Sequence, residues 1–108
     1  MTDDSTLGGY FKVHSRAPAF EGSDGSAYSV AVYVDDDPGP DGAFGGALIF
    51  VRWSAAGDQP EGHVETEYLA RGQTVKEAED HVHSLTLLQV KEALDQAIQR
   101  ASERPAWE

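Results

Sequence analysis

The chain contains no cysteine, one methionine, and only eight lysine and arginine residues among 108. Without cysteine there is no disulfide framework, no thiolate nucleophile and no cysteine-ligated zinc. The few cations are scattered, whereas nucleic acids and anionic surfaces are held by clustered Lys and Arg. No nucleic-acid partner and no membrane partner are therefore expected. No apolar run approaches the ~18 residues that a membrane-crossing helix needs. The first residues, Met1-Thr2-Asp3-Asp4, are acidic and lack the apolar core of a secretory leader. A cytoplasmic, bacterial protein is the simplest expectation.

Acidic residues are what the chain has in excess: 19 Asp and Glu give a formal charge of −11. The plain reading is a solvated, self-repelling surface of the kind that suits a saline cytoplasm. A sharper reading is an acidic face for a basic protein. A length of 108 residues suits a single domain that buries roughly two-thirds of its unfolded surface. Residues 1–9 read as a disordered tail and 10–108 as one α+β domain.

The organising stretch is Ala43–Trp53 (Ala-Phe-Gly-Gly-Ala-Leu-Ile-Phe-Val-Arg-Trp). It is apolar on both alternation sets, as a strand in mid-sheet is when each face has a cover. Around it, Tyr10–Arg16 alternates weakly, and Pro18 makes it an edge strand or a bulged one. Ser26–Asp35 alternates clearly, with Tyr28, Val30, Val32 and Val34 on one face. A hairpin turn at Ser23-Asp24 precedes it. His63–Ala70 supplies a fourth strand. Thr74-Val75-Lys76-Glu77 and Thr86-Leu87-Leu88-Gln89 are capping boxes, each followed by an apolar stripe at helical spacing. They predict helices over about 75–84 and 87–102, one long helix being the alternative. Trp107 either folds back onto the core or stays free. The fold class is α+β: a four-stranded antiparallel meander with one or two C-terminal helices packed on one face.

One helical layer covers one sheet face, so the other is left bare. Arg52 and the pair Glu65 and Glu67 suggest which, because opposite charges on neighbouring strands favour a shared face. On that reading Ala47, Ile49, Val51 and Trp53 point inward. The bare face then carries Tyr33, Phe44, Leu48, Phe50 and Arg52, an apolar patch larger than a lone soluble chain usually leaves exposed. Self-association through this face, a two-fold dimer being the commonest form, is the expected function, with another protein as the other possible partner.

The alternative is a metal-dependent or acid–base enzyme. His63, Glu65 and Glu67 recur at every second position of one strand, and imidazole plus carboxylate is competent for metal binding or proton transfer. No second element with matching ligands is identifiable, and no cofactor is implied. His81 and His83 diverge by roughly 200° on a helix and make no pair. The Asp35–Asp41 loop lacks the alternating ligands and closing glutamate of an EF-hand. No nucleophile elbow and no phosphate-cradling loop occurs.

Overall fold

A computed structural model describes residues 4–103. The order of elements is α1 (Leu7–His14), β1 (Ala19–Glu21), β2 (Ala27–Val34), β3 (Phe44–Trp53), β4 (Pro60–Glu65), β5 (Ala70–Gly72), α2 (Val75–His83) and α3 (Leu87–Ser102). The strands form one antiparallel sheet in the order β1-β2-β3-β4, and β5 extends the β4 edge by pairing with the start of β3. This is the α+β meander expected from the pattern, with a fifth strand and an N-terminal helix added.

The two C-terminal helices begin where their caps predict. Thr74 Oγ1 accepts from the amide of Glu77 at 3.0 Å, and Thr86 Oγ1 from that of Gln89 at 3.1 Å. Gln89 completes its box by accepting from the Thr86 amide. Glu77 instead reaches one residue further back, to the amide of Gln73. The chain turns at Ser84-Leu85, so there are two helices rather than one.

Three expectations fail. Tyr10–Arg16 is not a strand: Leu7–His14 is helical, capped by Thr6, whose Oγ1 accepts from Gly9 N at 3.0 Å. Nor is residue 9 the end of a frayed tail, because Leu7 is fully buried and its amide donates to Leu85 O at 2.8 Å. Gly8 lets the helix lie against α2, since a Cβ there would sit 3.0 Å from the Cβ of His83. The first strand instead follows Pro18, which keeps the meander order. The fourth strand is broken in two. Thr66 pairs with Leu48 and Leu69 with Gly46, so the connector between β4 and β5 carries extra residues against β3. Trp107 lies outside the described residues.

Register decides the faces. Val30 stands opposite Phe50 and Val32 opposite Leu48; Ala31 stands opposite Ile49 and Ser29 opposite Val51. Phe50, Leu48, Tyr28 and Val30 join Leu7, Val82, Val90 and Leu94 in the core. Helix α2 covers β2, β3 and β5, and α3 covers β4. The close approach of α2 depends on two glycines. A Cβ on Gly46 would lie 2.5 Å from Val82 Cγ2, and one on Gly72 only 2.4 Å from the amide of Ala78. The molecule measures 21 Å in its thinnest direction, room for one helical and one sheet layer at ~10 Å each.

The β1–β2 hairpin is closed by a buried tyrosine. Tyr28 Oη donates to Asp24 Oδ2 at 2.8 Å, and Asp24 Oδ1 accepts from the Ser26 amide. Burial, then the neighbouring carboxylate, pushes the Tyr28 hydroxyl up to about 12 from 10.0. A raised folded-state value favours folding while the phenol is protonated in both states. That contribution is intact below pH 10 and is lost as pH rises from 10 towards 12. Far-UV dichroism across this range should show stability falling. Tyr28→Phe should flatten that slope.

Candidate functional site

The sheet's second face has no layer over it among the described residues. Its centre is uncharged: Ser29, Ala31 and Tyr33 on β2, with Ile49, Val51 and Trp53 beside them on β3. Tyr33 is 45% exposed, and Ile49, Val51 and Trp53 are partly exposed. Carboxylates and one imidazole ring this centre. Glu21 stands on β1 opposite Ala27, Glu65 on β4 opposite Ile49, and His63 opposite Val51.

The bare face is therefore the reverse of the one expected. Of the five predicted interface residues only Tyr33 lies on it. Leu48 and Phe50 are fully buried beneath the helices, and Phe44 and Arg52 share their side of β3. Opposite charge does not set the faces of β3. Arg52 does not pair with Glu65 or Glu67; its guanidinium donates to the backbone carbonyl of Glu61 at 3.3 Å. Glu67 pairs with Arg100 of α3 at 3.0 Å. The side-chain pairing that sequence reasoning assumed is weak, of order 0.2–1 kcal/mol, and burial of two large apolar side chains outweighs it.

His63, Glu65 and Glu67 are not brought together as a trio. The first two share the open side of β4, while Glu67, past the end of the strand, turns to Arg100. Among the described residues, no group of three His, Asp or Glu side chains converges as metal ligands. In the Asp35–Asp41 loop the two end acids serve as turn residues. Asp35 Oδ1 accepts from the Asp37 amide, and Asp41 Oδ1 from that of Ala43.

Two side chains were not expected here. Alternation along His63–Ala70 would turn Tyr68 inward with Val64, but the irregular β4–β5 connector carries it onto the open side. A Cβ on Gly45 would lie 2.6 Å from its ring, so only glycine leaves room for it. Tyr68 Oη donates to Asp35 Oδ2 at 2.6 Å. That bond holds the Asp35 carboxyl below its usual range and raises the Tyr68 hydroxyl. Tyr33, Tyr68, Ile49, Asp35 and Glu65 enclose a hollow of about 460 Å³ with Ala47 in its floor. At the other end of the face the indole of Trp53 lies across to β2, its Nε1 donating to Ser29 Oγ at 2.9 Å. The one polar atom of that indole is already satisfied, so covering the ring strands no donor.

No helix of the described residues is long and apolar enough to cross a membrane. Neither a protein-family model, a curated protein nor a solved structure matches the chain. The reading of function rests on this geometry.

Proposed function

We propose that the protein acts by association, and that a second copy of the chain covers the open face of its sheet. The observation that carries this is the uncharged strip of Ala31, Tyr33, Ile49, Val51 and Trp53, over which no layer lies among the described residues. At ~3.3 Å per residue and ~4.8 Å between strands, β2, β3 and β4 project on the order of 400 Å². That is about half of the ~800 Å² that each partner contributes to a standard interface. A sheet-on-sheet dimer turns a two-layer molecule into four layers with the apolar strips at the centre.

Charge predicts how such a dimer behaves. Each copy carries −11, and Glu21 and Glu65 rim the contact. Copies repel over roughly 10 Å at 0.1 M salt but only about 3 Å at 1 M. Self-association should therefore tighten as salt is added, the opposite of what docking to a basic protein would do. Sedimentation equilibrium at low and high salt reads this directly. A dimer whose affinity grows with salt supports the proposal. A chain that is monomeric at both ionic strengths up to millimolar concentration would sink it.

A further inference from the structure

The hollow at the Tyr33–Tyr68 end of the open face combines aromatic walls with negative charge. Ala47 and Ile49 give it an apolar base, and the two tyrosines wall it. Tyr33 stands on β2 opposite Ala47. Tyr68 lies close over Gly45, and its hydroxyl is tied to Asp35. That wall is set before anything binds, which lowers the ordering cost of binding. At about 460 Å³ the space falls within the range of small-molecule sites.

The charge at its margin has one sign. Asp35 and Glu65 line the hollow, and among the described residues no Lys, Arg or His does. Asp35 is held ionised by bonds from the Tyr68 hydroxyl and the Asp37 amide. Arg100 bonds the backbone carbonyl of Glu65 and the carboxylate of Glu67, so the Glu65 carboxylate keeps its charge uncompensated. Arg71, whose charge reaches Tyr68, is engaged by Asp41 at 3.7 Å.

We infer that this hollow binds a compact organic cation whose head is a quaternary or N-methylated ammonium. Aromatic rings attract cations, and the attraction grows as water is removed. A methylated head carries its charge without N–H groups that must find acceptors when desolvated. Both Asp35 oxygens already accept a bond, so that carboxylate has charge to offer more than acceptor sites. Ala47 and Ile49 supply apolar contact for the methyl groups. The net charge of −11 draws cations to the surface and turns anions away. The hollow is complete within one copy, so the inference goes beyond the association proposed above and does not depend on it.

The probe is choline, set against its uncharged analogue in which a tert-butyl group replaces the trimethylammonium. Proton NMR at low salt should show a saturable upfield shift of the choline methyls, with a dissociation constant on the order of a millimolar. The analogue should bind at least about tenfold more weakly. Tyr33→Leu keeps apolar bulk without a ring, and Glu65→Gln keeps shape without charge. Each should weaken choline by roughly threefold to tenfold, while Tyr33→Phe should leave it unchanged. Both positions are exposed, so these variants should fold. A trimethyl-lysine peptide titrated in parallel tells a protein side chain from a free solute by which binds tighter. Added salt should weaken this binding although it tightens self-association, and sedimentation of the same samples reads the association separately. Equal binding of choline and its analogue, a shift that never saturates, or full binding by both Tyr33→Leu and Glu65→Gln would overturn the inference.

Discussion

Phe50→Ala is expected to destabilise the fold by about 3–5 kcal/mol, the usual cost of emptying a large aromatic site in a core. Phe50 is fully buried on the helix side of β3, packed with Leu48, Val82 and Leu94 in one cluster. No glycine-lined slack surrounds it, because α2 is already drawn in against Gly46 and Gly72. The surroundings can therefore collapse only partly into the space. Denaturant titration should show the midpoint falling with an unchanged slope. Phe50→Glu adds a buried carboxylate without a partner and should leave no folded protein.

The neighbouring residue should behave in the opposite way. Val51→Glu places a carboxylate on the open side of β3, beside Ser29 and His63. In a single copy that site faces water, so the fold should lose only about 1 kcal/mol, the span of strand preferences. In the dimer the site is covered, and two copies bring two carboxylates into a drying interface. Self-association should weaken by at least about a hundredfold, which corresponds to some 2.8 kcal/mol. Adjacent positions on one strand thus separate core from interface. A Val51→Glu protein that unfolds, or a Phe50→Glu protein that stays folded, would mean that the two faces are assigned the wrong way round.

That assignment is also where the sequence is hardest to read. The alternation of Ser26–Asp35 puts Tyr28, Val30 and Val32 on one face, and Tyr28 and Val30 are buried there with Val32 packed against them. β3 is apolar on both sides, so its own pattern is silent. Its faces depend on whether even positions of β2 meet even or odd positions of β3. A slip of one residue in the loop between them reverses every side chain. The decisive features are Gly46 and Gly72, small residues that admit α2 on the even side. They were legible as glycines but not as a docking track. The helix caps at Thr74 and Thr86 are local and were legible for that reason.

The N-terminal helix and Tyr68 depend on tertiary context. Gly8 and Gly9 are poor helix residues, and Phe11 with Val13 imitates a strand. What holds α1 is the burial of Leu7 and two backbone bonds between Ser5–Leu7 and Leu85–Leu87, contacts some eighty positions away in sequence. Tyr68 reaches the open face because extra residues enter between β4 and β5. Alternation taken through an irregular connector places it on the wrong side. The hollow was therefore invisible, although Tyr33, one of its walls, was correctly placed on the bare face.

The account turns on whether the open face is dry in the working protein. The most direct measurement is the weight-average mass of the wild type and of Val51→Glu by sedimentation equilibrium, at one high concentration and high salt. The account predicts a wild type approaching twice 11.7 kDa and a folded variant at that single mass. Equal masses for the two folded proteins, whether both single or both double, would contradict it.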